Sequence, residues 1–232
     1  MYRSQFKRNL GVVAVGLATI LSQMPGAADE KSKSKDADAK DANDSTGAAP
    51  ANCVRVDELT PQAKEVLVWT NEFAKDITQA IERWLASGSL TPERLFSYLY
   101  YPVANTDPTK FTTDYDIFAD RDFQPILEKY LSKSSMIIYA VAMDRNGYVP
   151  THNRQYSQPL TGNNAVDLVN NRTKRIFGDQ IGFRSARNLK PYLLQSYTRD
   201  TGELVSDLSV PLVLHGRQWG CVRIGFRQVE RQ

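Results

Sequence analysis

The chain has 232 residues, 41% hydrophobic and 24% charged, with 29 lysines and arginines against 26 acids and a formal net charge of +3. Near-balanced charge without a basic tail excludes the electrostatic footprint of a nucleic-acid-binding protein. Two cysteines are too few for a disulfide-dense scaffold and do not form a zinc spacing, and nothing repeats at a fixed period, which excludes solenoids and propellers.

Arg3, Lys7 and Arg8 precede the apolar run LGVVAVGLATIL at 10–21, and Gly26-Ala27-Ala28 places small residues before Asp29. This is the layout of a cleaved secretory signal peptide over 1–28, the alternative being an uncleaved anchor. A periplasmic, soluble mature protein is expected. Residues 29–52, DEKSKSKDADAKDANDSTGAAPAN, contain no aromatic and no large aliphatic side chain. They cannot bury enough surface to fold and read as a disordered charged linker. The remaining 53–232, about 180 residues, fit one domain with a sizeable core.

Thr60-Pro61 supplies an N-cap hydroxyl and a proline at the first helical position. Val66, Trp69, Phe73, Ile77, Ala80, Ile81 and Trp84 then recur at helical spacing until Ser87-Gly88-Ser89. A long amphipathic helix is predicted to about Leu85, its stripe serving as core or as a homodimer seam. Thr91-Pro92 repeats the signal for a short helix through Leu95 and Tyr98. Prolines with Asn, Asp and Thr make 101–121 read as irregular. A further helix is expected over Phe123–Leu131.

Residues 135–143, SMIIYAVAM, suit a buried strand. Asn146-Gly147 is the pair that best tolerates the positive φ angles of a two-residue hairpin turn, with Tyr148 and Val149 starting a return strand. Asp144 and Asn146 are read as serving that turn. One helix is expected around Ala165–Ile176. Strands follow at Leu193–Tyr197, Leu204–Leu214 and Trp219–Phe226, separated by turns at Asp200-Thr201-Gly202 and at 215–218. The total is an α+β fold: a long N-terminal helix packed on a curved antiparallel sheet of about five strands.

The segments DRNGYVPTHN (144–153), NNRTKRIF (170–177), GFRSARN (182–188), YTRDTGE (197–203) and HGRQWGCVRIGF (215–226) together resemble the periplasmic PAS-like/Cache-type sensor domains of bacterial methyl-accepting chemotaxis proteins. The resemblance covers roughly residues 56–228. It implies a small-ligand pocket between the sheet and its covering loops, and it implies sensing and dimers rather than catalysis. A chemoreceptor would continue into a membrane helix and a methylated coiled coil. Here signalling is expected to run through a partner, such as a membrane transducer; the alternatives are a non-covalent haem or redox sensor, or a ligand-free periplasmic interaction module that docks on such a transducer.

His152 has three readings: a hydrogen-bonding tie at the strand exit, a ligand-pocket residue, or an axial ligand to non-covalent haem. Covalent haem is unsupported because CxxCH is absent. Arg172, Lys174, Arg175, Arg184, Arg187 and Lys190 form a cationic cluster. With Tyr197 it would suit an anionic or zwitterionic small molecule; alternatively it is solvated or paired with Asp179, Asp200 and Asp207. Tyr148 is counted with the pocket. Asp207, in an apolar strand, needs an arginine or a ligand ammonium if it points inward. Trp219, Val222, Ile224 and Phe226 are read as core. No nucleophile constellation is present, so no enzyme activity is expected. Cys53 and Cys221 are either joined, which would stabilise by up to about 5 kcal/mol, or unrelated thiols.

Overall fold

The computed structural model describes residues 58–199 and 202–228. The signal-peptide and linker assignments, Cys53, and the first two residues of the Asp200-Thr201-Gly202 turn lie outside the described residues. The remainder forms a mixed α+β fold around a four-stranded antiparallel sheet, with two small two-stranded sheets beside it.

Helix α1 runs Pro61–Ala86, with Thr60 Oγ1 accepting from the Ala63 amide at 3.1 Å. It ends as expected near Ser87, where Gly88 adopts φ 69°. Val66, Phe73, Ile77, Ala80, Ile81 and Trp84 are all buried. Each of the larger side chains, such as Val66, Phe73, Ile77 and Ile81, contributes about 1.5–3 kcal/mol by leaving water. Trp69 packs on the flank of that core, half-buried.

Helix α2 is shorter than expected, Pro92–Leu95. Only Leu95 of its residues is buried, and Tyr98 and Leu99 face solvent, so no apolar stripe rewards a longer helix.

The stretch read as irregular holds a small hairpin, β1 Tyr101–Val103 and β2 Lys110–Thr112. Helix α3 spans Asp116–Leu131, beginning seven residues before the expected Phe123. Tyr115, Ala119, Phe123, Leu127 and Tyr130 are buried along it. Trp84 of α1 stacks on Phe123 at 4.9 Å between ring centroids.

Strand β3, Ile137–Asp144, is buried throughout. The turn after it differs from the expected hairpin. The type I′ turn that Asn-Gly favours needs positive φ at both central residues, but here only Gly147 has it, at 83°. The Asp144 carboxylate instead accepts from the Asn146 and Tyr148 amides at 2.8 and 3.0 Å, and Gly147 N–H donates to Asp144 O. The chain therefore leaves the sheet. Strand β4, Tyr148–Val149, pairs with β5, Arg175–Ile176, rather than with β3.

The single helix expected over 165–176 is also corrected. Helix α4 covers Asn164–Asn170, capped by Asn163, and gives way at Lys174 (φ 60°) to β5. A second helix, α5, Gln180–Arg187, was not foreseen; Asp179 Oδ1 caps it by accepting from Gly182 N–H at 2.8 Å.

Strands β6 Leu193–Thr198, β7 Leu204–Leu214 and β8 Arg217–Phe226 follow close to expectation. His215 and Gly216 take φ 50° and 75° between the paired Leu214 and Arg217, the geometry of a tight two-residue hairpin turn. The sheet order is β3-β8-β7-β6, so the expected five strands become four plus outlying pairs.

Two-residue alternation divides the sheet into two faces. Ala140, Ala142, Leu208, Val210, Val222, Ile224 and Phe226 join the core with α1 and α3. Tyr139, Val141, Met143, Val205 and Cys221 form a separate cluster on the other face. Cys221 is a fully buried free thiol, and burial pushes its pKa up.

Candidate functional site

The second face of the sheet carries a cavity of about 770 Å³. Its floor comes from β3 and β8, one side from β6, and the opposite side from the segment between Arg172 and Ile181.

Under the floor sits a buried ion pair. Arg223 Nε donates to Asp207 Oδ2 at 2.8 Å and Nη2 donates to the same oxygen. The Tyr139 hydroxyl also donates to that oxygen, and it lies 2.8 Å from the Tyr197 hydroxyl. The Asp207 side chain is fully buried and that of Arg223 is 7% exposed. Burial works against the guanidinium charge, but Asp207, with Tyr139 and Tyr197, outweighs it and keeps Arg223 protonated. An isolated charge there would be expensive; the pair arises because β7 and β8 place Asp207 and Arg223 on the same face of neighbouring strands.

His152 stands in the wall, 4% exposed. The Asn153 amide donates to its Nδ1 at 2.8 Å, and its ring meets Tyr156 edge-on at 4.9 Å. Burial, and then Arg172, Arg199, Arg175 and Arg223, hold its pKa well below the usual histidine range. The neutral ring whose Nδ1 accepts a hydrogen bond carries its proton on Nε2. That nitrogen is a donor, not a metal ligand: a ligating histidine presents a bare nitrogen and donates from the other. The haem-ligand reading does not fit these residues.

The segment 172–181 brings cations to the rim. Arg172 and Arg175 both lie over the Phe177 ring, at 5.3 and 5.0 Å, the range of cation–π contacts. Two glycines fix this wall. A Cβ on Gly147 would stand 2.5 Å from Phe177 O, and one on Gly182 would stand 2.3 Å from it. Neither position has room for a side chain. Arg199, buried beside Tyr156 at 5.3 Å, pairs with Glu203 at 3.3 Å.

Of the sequence candidates, His152, Arg172, Arg175 and Tyr197 line the cavity, and Asp207 lies directly behind Arg223. Tyr148, Arg184 and Arg187 lie outside it. Tyr148 is buried on the other side of β4, its hydroxyl shared by Phe111 O and the Asp116 carboxylate at 2.9 Å. Arg187 covers the Phe183 ring at 4.8 Å and reaches Arg145 O. Sequence reasoning missed Tyr139, Phe177, Arg199 and Arg223. For Arg223 a signal existed: it alternates with Val222 and Ile224, both read as core, so it had to face the opposite side.

No protein-family model matches the chain, and no curated protein matches it.

Proposed function

We propose that this chain is an exported small-molecule-binding sensor domain, related to the PAS-like/Cache modules of chemoreceptors, that reports through a partner. The observation that carries this reading is the cavity. Its volume, about 770 Å³, falls in the range of small-molecule sites, roughly 300–1,000 Å³. It combines apolar side chains (Val141, Val149, Ile176) with a few converging polar groups. The segments that carry the family resemblance meet around it: 144–153 supplies His152, 170–177 supplies Arg172 and Arg175, 197–203 supplies Tyr197 and Arg199, and 215–226 supplies Arg223. GFRSARN supplies Gly182, against which Phe177 is seated.

Binding rather than catalysis is favoured by the state of His152. Its Nδ1 is held by a backbone amide, and Ser157 Oγ donates to the His152 carbonyl, not to the ring. No nucleophile and base are thereby joined. The mechanism follows from position. Ligand between the sheet and the wall at 172–178 would favour one placement of that wall. α1 packs on the far face of the same sheet, where a partner could read the change. The shift is limited by the ligand's differential affinity for the two arrangements.

Thermal unfolding of the purified protein against a panel of small metabolites tests this. A true ligand at a hundred times its Kd stabilises by about 2.7 kcal/mol, which for a domain of this size raises Tm by about 5–11 °C. A broad panel that leaves Tm unmoved would sink the reading.

A further inference from the structure

His152 lines the cavity with only 4% of its surface exposed. Its ring is held from several sides. The Asn153 amide donates to Nδ1 at 2.8 Å, the Tyr156 ring meets it edge-on at 4.9 Å, and the Tyr139 ring lies at 6.2 Å between centroids. The other nitrogen, Nε2, therefore carries the proton, and nothing among the described residues accepts it. Among the described residues, the fully enclosed side-chain nitrogens and oxygens that lack a partner are Gln195 Oε1, Asp207 Oδ1 and Trp219 Nε1. His152 Nε2 is not one of them, so it opens onto the cavity that its ring lines.

The two tyrosines of the floor cannot supply the same contact. Tyr139 spends its single hydroxyl proton on Asp207. In the 2.8 Å contact between the two hydroxyls, Tyr197 is then the donor, and its proton is spent as well. Towards the cavity both oxygens can only accept. His152 is thus a neutral donor aimed by packing. A ligand that turned another N–H towards Nε2 would leave two donors unpaired in a buried place, which is costly. An oxygen with free lone pairs satisfies it. A donor already held in place loses little freedom on binding, so the contact favours a ligand with the matching acceptor.

We infer that His152 is a ligand-binding hydrogen-bond donor: its Nε2–H meets an oxygen acceptor, a carbonyl or carboxylate, on the bound small molecule. This rests on reading the cavity as a ligand site. It goes further by assigning one contact and the chemical group that makes it.

The test is long-range proton–nitrogen NMR of the imidazole rings in the intact, isotope-labelled protein. Four probes of one size are added at millimolar concentration. Benzamide and benzoate carry the acceptor; toluene and benzylamine do not. Benzamide, benzoate or both are expected to shift the His152 Nε2 resonance, and toluene and benzylamine are not. Which of the first two acts tells a carbonyl from a carboxylate. His152→Phe should weaken the active probe by about tenfold, and His152→Gln, which keeps a side-chain N–H, should retain most of its affinity. The wild-type spectra decide even if His152→Phe fails to fold. A protonated Nδ1 in the free protein overturns the inference. So does silence of both oxygen probes, an equal response to toluene, or unweakened binding by His152→Phe. Each of these leaves the sensor reading to be decided separately by the metabolite panel, whose complete failure would remove both.

Discussion

Asp207→Asn is the most informative single substitution for the floor of the cavity. The side chain is completely buried, and its Oδ2 takes two donors from Arg223 and one from Tyr139. Neutralising it leaves a guanidinium in a buried position with no counter-charge. Breaking a buried pair in this way costs about 3–5 kcal/mol. Arg223 also lines the cavity, so water entering there can rehydrate part of it, and asparagine keeps one acceptor. The lower end, about 3 kcal/mol, is therefore expected. For a domain of this size that lowers Tm by about 6–12 °C. Far-UV circular dichroism during thermal and urea unfolding reads it out. The double variant Asp207→Leu, Arg223→Met removes both charges and should recover most of the loss, because apolar replacement of a whole buried pair is often neutral or better. A loss under about 1 kcal/mol in Asp207→Asn, or a double variant no better than the single, would refute the reasoning.

Three further outcomes follow from the same geometry. Gly225→Ala would set a Cβ 2.2 Å from the Tyr139 ring, so a loss of about 1–3 kcal/mol is expected, with weakened ligand binding as Tyr139 leaves Asp207; an unchanged Tm would mean the ring does not lie over Gly225. Tyr148→Phe removes bonds to Phe111 O and Asp116 and should cost about 1–3 kcal/mol without changing ligand affinity, which separates that tyrosine from the site. His152 should remain neutral at pH values where an ordinary imidazole is already protonated, read by an NMR titration of its ring, since burial and four arginines depress its pKa. The folded state binds that proton less tightly than the unfolded chain, so the stability from a neutral His152 is complete above about pH 6.5 and is lost as pH falls below it. Titration of the buried ring near its ordinary value would contradict this.

Local signals made much of this fold readable. Thr60-Pro61 and the apolar stripe placed α1 because both act within a few residues. The start of α3 was hidden because its first residues are held by distant partners: Asp116 is buried against Tyr148, and Tyr115 reaches Asp144. The two turns show the same limit. His215-Gly216 is a true hairpin turn. Asn146-Gly147 looks like a better one, yet the Asp144 carboxylate binds the amides of Asn146 and Tyr148 and turns the chain towards β5.

The site was legible to the same degree. Residue type pointed to arginines, and the short segment 172–175 delivered two of them to the cavity. Arg184 and Arg187 could not be placed without knowing that α5 exists. Only strand pairing puts Arg223 beside Asp207.

The central claim is the proposal that this cavity holds a small molecule. Native mass spectrometry of the protein exported to a bacterial periplasm and purified gently tests it most directly. Extra mass is expected, of a size that fits a cavity of about 770 Å³, that leaves on denaturation. A bare polypeptide mass would contradict it.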